Sequence, residues 1–183
     1  VVCGALESAL LKATGHEYDF SEGHMVNTML QNSKYGISED ADDGGYSDWA
    51  LEYVLSWFGP IPQKIDSYDE LGRLSPILET EQNIHIQDAI FIGPRESLTD
   101  NDKYKTALME YGALDVSYAN FESAPYYNNE TAAQYQNISH KQDHEITLIG
   151  WDDNYPASNF IISPPGDGAW IYKNSWNTAW GEE

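Results

Sequence analysis

The sequence contains one cysteine, Cys3, among 183 residues. This count excludes an intrachain disulfide, so the hydrophobic core has to stabilise the fold. Hydrophobic residues make up 41% of the chain and aromatic residues 13%, which is enough for a packed domain and excludes a disordered chain. Apolar runs all fall short of the ~20 residues that cross a bilayer, so we expect no membrane insertion within this segment.

Basic residues are also scarce. Nine lysines and arginines stand against 30 aspartates and glutamates, which gives a formal net charge of −21. Nucleic-acid binding requires a basic face, so a nucleic-acid partner is not expected. The acidity favours solubility instead. Four histidines, namely His16, His24, His85 and His140, show no paired spacing typical of a metal site. His140 stands four residues before His144, but the pair falls at a strand entry and lacks the glutamate that follows the first histidine of zinc-peptidase helices, so we expect neither a metal nor a cofactor. We expect a monomer.

The first sixty residues show helical spacing of apolar side chains. The pattern predicts one helix from Val2 that ends at Gly15 and a second that Ser21 caps. A third helix is predicted to be capped by Ser47 and to end at Gly59 and Pro60. This part of the chain is therefore predicted to be a helical lobe, residues 1–60.

The rest of the chain, residues 61–183, is predicted to be mainly β. The candidate strands are residues 84–86, 89–92, 114–118, 145–151 and 169–173, and a helix is predicted from Asp102 to Tyr111. Helices followed by strands indicate an α+β domain. We find no internal repeat, so the whole chain is taken as one domain with two lobes.

Three short segments carry residues with possible chemistry. His144 stands at the start of an apolar run, Asn174-Ser-Trp176 precedes Trp180 and Gly181, and Gly44 and Gly45 precede a helix. A lone histidine is more often structural than catalytic, and a glycine pair is more often only a turn. The three segments gain meaning from their order along the chain.

Together the segments resemble the papain-like cysteine peptidases. That family carries His-Ala-Val-x-x-Val-Gly-Tyr and, further on, Lys-Asn-Ser-Trp-Gly-x-x-Trp-Gly, which are similar to residues 144–151 and 173–181. The resemblance covers nearly the whole chain. It implies a helical N-terminal lobe, an antiparallel β-barrel-like C-terminal lobe and a cleft between them. It also implies peptide-bond hydrolysis by a Cys/His/Asn triad.

Several details are most similar to a microbial branch of the family. This branch occurs in large surface proteins that have a lectin-like region. The similar segments are residues 59–62, 126–128, 150–155 and 163–166. The resemblance implies an extracellular or cell-surface location.

The resemblance also implies roles for single residues. His144 would be the imidazolium beside the thiolate, Asn174 would orient its ring, and Trp176 would shield the bond between them from water.

The substrate would be a polypeptide in extended form. Gly44 and Gly45 would pair with its backbone, because a missing Cβ permits close approach. Asp143 would line the cleft, and Trp176 would lie at its wall.

Cys3 is a doubtful nucleophile. Its separation from His144 would suit the family, but the family pattern is Cys-Trp-Ala-Phe, and here Gly4, Ala5 and Leu6 follow the cysteine. Aligned on Glu7 and Ser21, the chain starts just after the nucleophile position, and both of its ends look cut.

We therefore interpret Cys3 as a core residue and expect the nucleophile and the oxyanion-hole glutamine upstream. The 183-residue chain alone is expected to be inactive. A non-catalytic binding or adhesion domain is the alternative.

Overall fold

A computed structural model describes residues 1–30, 33, 36, 44–68, 84–121 and 123–181. Contacts divide the chain into two compact units. One is Val2–Thr99, and the other is Asp100–Glu183 together with Val1. By their contacts, the described residues between 61 and 99 belong with the helices. The lobes predicted at residues 1–60 and 61–183 stay a prediction.

The described residues of the first unit form three helices, namely α1 (Val2–Thr14), α2 (Glu22–Met29) and α3 (Ser47–Leu55). The predicted cap of α2 is confirmed, because the Ser21 side chain accepts a hydrogen bond of 2.8 Å from the backbone N–H of His24. The predicted cap of α3 is wrong by one residue. Ser47 is already helical, and the cap position is held by Tyr46, whose side chain makes no capping bond.

The core of this unit forms around Tyr53, which is 0% exposed, with Val54 and Met29 beside it. Partly buried apolar side chains complete the cluster: Leu6, Met25, Trp49, Leu51, Phe58 and Ile86. Gly59 is required here for close approach, since a Cβ at this position would lie only 1.8 Å from the Tyr53 hydroxyl oxygen. Any larger residue would displace the most buried aromatic ring of the unit.

The strands predicted at residues 84–86 and 89–92 are wrong, as this described segment has no strand pairing. Backbone groups of this segment form hydrogen bonds with side chains instead. The Ile86 carbonyl accepts a hydrogen bond from the Trp57 indole at 3.0 Å, and the His85 ring stacks on the same indole. Ile90 and Phe91 are exposed, so the apolar run has no sheet to bury it.

The second unit contains α4 (Asp102–Tyr111) and the strands. The predicted bounds of α4, β1 (Leu114–Tyr118) and the last strand are confirmed. The remaining elements are β2 (Tyr127–Asn128), β3 (Ala133–Gln134), β4 (His144–Asp152), a 3-10 turn (Ala157–Asn159) and β5 (Ala169–Lys173).

The main sheet is antiparallel, with β4 between β1 and β5. Leu108 of α4 packs on Ile146 and Leu148 of β4, and all three side chains are buried. Burial of each such side chain stabilises the fold by about 1.5–3 kcal/mol. In the described residues the sheet remains open, which corrects the barrel-like lobe that the resemblance implied, because three strands are too few to close on themselves.

Candidate active site

His144 is the first residue of β4 and lies directly opposite Tyr118 on β1. Side chains alternate along a strand, so the imidazole shares a sheet face with the buried Ile146 and Leu148. His144 itself is only half-buried. The core therefore fixes the strand while leaving the imidazole at the margin of the packed region.

The imidazole is hydrogen-bonded to the side chain of Asn174. His144 Nε2 lies 2.9 Å from Asn174 Oδ1. Asn174 directly follows β5, which pairs with β4, so the sheet brings together two residues that stand thirty positions apart in sequence. The structure thus joins two residues that the sequence predicted to act together.

A second hydrogen bond fixes which way the Asn174 amide points. The backbone N–H of Ser175 donates to Asn174 Oδ1 at 2.8 Å, which would be repulsive if the amide were turned over. Because an amide oxygen only accepts, His144 Nε2 must carry a proton. In the neutral ring, Nδ1 then holds the lone pair and is the atom able to accept a proton.

Trp176 covers the same imidazole. The two ring centroids are 4.9 Å apart with an interplanar angle of 33°. Trp180 meets Trp176 edge to face at 5.0 Å and stacks on Tyr127 at 5.6 Å. Such a cover limits the access of water, and a hydrogen bond is stronger where water is excluded.

Asp143 is exposed, and its carboxylate binds neighbouring groups of the same unit. It accepts hydrogen bonds from the Asn120 backbone N–H at 2.9 Å and from His140 Nε2 at 3.3 Å. These two interactions, that of Asn120 first, lower the pKa of the Asp143 carboxyl. Whether Asp143 also contacts substrate stays a prediction.

Gly44 and Gly45 belong to the other unit, which contains α1, α2 and α3. Both glycines are exposed. Gly44 has a φ of +75°, which favours glycine, and a Cβ there would meet no described residue within 4 Å. A Cβ on Gly45 would meet only the Trp49 ring, at 3.5 Å. Their predicted pairing with substrate backbone stays a prediction.

The family model described as papain family cysteine protease matches residues 2–183. The chain belongs to the papain family of cysteine proteases.

Individual relatives agree with this membership. A cathepsin L-like peptidase from Aedes aegypti is 26% identical over 98% of this chain and 48% of its own length. Cathepsin K from Mus musculus is 28% identical over 98% of this chain and 49% of its own length. The chain therefore spans about half the length of the curated relatives it matches.

Among solved structures, the cysteine protease and lectin-like domains of Cwp84, a surface layer associated protein of Clostridium difficile, are similar. The TM-score is 0.79 and the identity 28%, with 95% of this chain and 38% of that chain covered. The predicted α+β, papain-like fold is confirmed.

This papain-family chain departs from the family pattern at Asn177, where the pattern has glycine. Asn177 has a φ of +64°, in the left-handed region. Asparagine tolerates this region better than other non-glycine residues, and here its side chain accepts a hydrogen bond from the Ala179 N–H at 2.8 Å. The substitution keeps the turn that carries Trp176 and Trp180.

The core interpretation of Cys3 is confirmed. The residue is 1% exposed. Burial, followed by the charge of Glu22, raises the pKa of the Cys3 thiol to about 12. The thiolate is the reactive form of cysteine, and this thiol stays protonated near neutral pH.

Sequence reasoning missed two residues of the site, Tyr118 and Asn120. Tyr118 ends a correctly predicted strand, but its contact with His144 depends on the pairing of β1 with β4, which the sequence does not specify. Within the described ranges, no cluster of three or more histidine, cysteine, aspartate or glutamate side chains could hold a metal ion.

Proposed function

We propose that the full-length protein is a cysteine-type endopeptidase in which His144 moves protons and Asn174 orients its ring. The observation that carries the proposal is the hydrogen bond between His144 Nε2 and Asn174 Oδ1. An amide partner adds no charge, which suits a ring that works as an imidazolium.

The bond to Asn174 occupies Nε2, so the proton transfers fall to Nδ1. A cysteine thiolate attacks the peptide carbonyl carbon, and a C–S bond forms while the C–N bond breaks. The proton on Nδ1 goes to the leaving amine. Water then attacks the thioester as Nδ1 takes one of its protons, and the thiolate leaves with the C–S electrons.

The nucleophile in this proposal is a cysteine other than Cys3. Cys3 is the single cysteine of the chain, and its burial keeps the thiol protonated. We expect the nucleophile and an oxyanion-hole glutamine to precede Val1 in the full-length protein. The 183-residue chain alone is then expected to hydrolyse no peptide substrate.

The proposed substrate is an extended polypeptide. Its backbone would pair beside Gly44 and Gly45, where a close approach is open. Asp143 and Trp176 would contact it near His144.

Location is proposed from similarity. Cwp84 is a surface layer associated protein, and we propose an extracellular or cell-surface location for this protein as well. Among the described residues, no helix has the length and apolarity to cross a membrane.

A non-catalytic binding or adhesion domain is the second candidate. The observation in its favour is the lack of a reactive thiol in the chain, since Cys3 is buried. The retained pair of His144 and Asn174 favours catalysis, because a binding surface would not require a histidine with an orienting amide.

The test is hydrolysis of an unfolded protein such as reduced casein by the full-length protein. His144→Ala is compared with His140→Ala, which removes an exposed histidine four positions earlier. We expect cleavage by the unaltered protein and by His140→Ala, and none by His144→Ala. An unaltered full-length protein that folds but cleaves nothing would support the binding domain.

A further inference from the structure

His144 has a second aromatic neighbour besides Trp176. The Tyr118 ring lies 5.7 Å from the imidazole, centroid to centroid, at an interplanar angle of 62°. Tyr118 is the cross-strand partner of His144 in the pairing of β1 with β4. Two aromatic rings and one hydrogen bond therefore restrain the same imidazole.

Tyr118 is itself held in place by a network at the start of β4. Its hydroxyl donates to Asn120 Oδ1 at 2.7 Å. The Asn120 backbone N–H donates to the Asp143 carboxylate at 2.9 Å, and the Asp143 N–H donates to the Tyr118 carbonyl at 3.1 Å. These three bonds form a closed circuit that ends one residue before His144.

The inner side of Tyr118 is restrained as well. Its ring lies 5.6 Å from that of Tyr172 on β5, centroid to centroid, and both rings pack against the buried cluster around Ile146. Tyr118 thus has packing on one side and hydrogen bonds on the other. A side chain fixed in this way can restrain a neighbour whose own position would otherwise vary.

The hydrogen bond to Asn174 does not by itself prevent the His144 ring from tilting. A single bond at Nε2 fixes one atom of the ring, and the ring can still tilt about that atom. A tilt moves Nδ1, the atom that carries the proton in the proposed function. Contacts on the ring itself are required to stop this motion, and small displacements of a catalytic group reduce the rate strongly.

We propose that Tyr118 is a positioning residue for His144. Its ring, held mainly by packing on Tyr172 and on the cluster around Ile146 and further by the hydrogen bond to Asn120, prevents the imidazole from tilting and so fixes the direction of Nδ1. The effect on catalysis depends on the proposed function, while the effect on the imidazole does not.

The first test measures kinetics in the full-length protein. Tyr118→Leu removes the ring, and Tyr118→Phe keeps the ring but removes the hydroxyl bond. The matched control is Tyr104→Leu, because Tyr104 is equally half-buried, lies in the same unit and packs on Trp170 instead.

We expect Tyr118→Leu to lower kcat roughly tenfold with KM little changed, because positioning acts on the chemical step. Tyr118→Phe should stay within about threefold of the unaltered protein. If Tyr104→Leu lowers kcat as much at an equal loss of thermal stability, or if Tyr118→Phe matches Tyr118→Leu, the proposal is overturned.

The second test observes the imidazole without any activity. With ¹⁵N-labelled histidine, the His144 Nε2 proton is followed by NMR. Its exchange with solvent should be roughly tenfold faster in Tyr118→Leu than in Tyr104→Leu, since a ring free to tilt breaks its bond more often. Equal rates in the two variants would overturn the proposal.

The two tests separate this proposal from the proposed function. Activity that survives in His144→Ala would refute the role of His144 as base and leave the NMR result standing. If the Nε2 proton exchanges equally fast in Tyr118→Leu and Tyr104→Leu while His144→Ala loses its activity, only the role of Tyr118 is refuted.

Discussion

Each unit of this molecule contains a histidine with a ring nitrogen close to a polar side chain, and the two histidines differ in exposure. In the helical unit, His24 Nδ1 lies 2.6 Å from the Tyr53 hydroxyl, and both residues are 0% exposed. In the β unit, His144 Nε2 lies 2.9 Å from Asn174 Oδ1 and the imidazole is half-buried. Similar hydrogen-bond lengths therefore occur in two different environments.

The environments indicate different roles. Burial raises the pKa of the Tyr53 hydroxyl, which therefore stays protonated near neutral pH. Both groups of that pair are enclosed in the core, so they stabilise the fold and cannot reach a substrate. His144 is only half-buried, and its Nε2 is hydrogen-bonded to Asn174. The comparison teaches that a hydrogen-bonded histidine is a candidate base only where its imidazole is not fully buried, which excludes His24.

The largest expected effect comes from exchanging the two histidines for alanine. His144→Ala should lower kcat of the full-length protein by about 10³-fold or more, since general acid–base catalysis contributes 10²–10⁴-fold. His24→Ala should lower the free energy of unfolding by about 2–4 kcal/mol, because it leaves a cavity and removes a hydrogen-bond partner of the buried Tyr53 hydroxyl. Peptide hydrolysis and urea unfolding measure the two quantities.

The control for His24 is Val26→Ala, on the same helix but 36% exposed, where we expect a loss below about 1 kcal/mol. The contrast between the units fails if His24→Ala leaves stability intact, or if His144→Ala unfolds the protein.

A smaller effect is expected at the partner of the exposed histidine. Asn174→Ala should lower kcat by about 10- to 100-fold, a part of the acid–base contribution, because the ring loses its orientation but keeps its proton chemistry. Steady-state kinetics with a peptide substrate measures it. Asn177→Ala is the neighbouring control, which alters the turn and not the bond. A larger loss in the control would show that the turn, and not the amide, matters.

The smallest effect concerns Asp143 and pH. Its carboxyl pKa is lowered in the folded protein, so its contribution to stability is present above the unfolded pKa and is lost as pH falls through the folded value. Asp143→Asn keeps an acceptor for the Asn120 N–H but removes the charge. We expect it to be less stable than the unaltered protein at neutral pH, with the difference shrinking below the ordinary value of 3.8.

Urea unfolding at several pH values measures this difference. A gap that stays constant through the acid range would show that the charge of Asp143 contributes nothing.

Local patterns predicted much of the fold. The ends of α4, β1 and β5 follow from apolar periodicity and from stop signals such as Gly112, so they could be read from the sequence. The segment at residues 84–92 could not. Its apolar run suits a strand, but a strand needs a partner, and partners are set by tertiary packing.

The prediction of the site was limited in the same way, because contacts that depend on strand pairing could not be predicted from the sequence. His144, Asn174 and Trp176 were found through the family motif, and the structure places Asn174 and Trp176 each in contact with His144. Tyr118 was missed because its role depends on cross-strand register. The burial of Cys3 was inferred from its neighbours in sequence, but the raised pKa of its thiol comes from the packing around it.

Mapping the cysteine that a thiol-protease inhibitor modifies tests the central claim most directly. The full-length protein is treated with an irreversible electrophilic peptide, digested and analysed by mass spectrometry, alongside His144→Ala. We predict modification at a cysteine outside this stretch of 183 residues, none at Cys3, and loss of the modification in His144→Ala. Modification at Cys3, or modification that is equally fast without His144, would contradict the account.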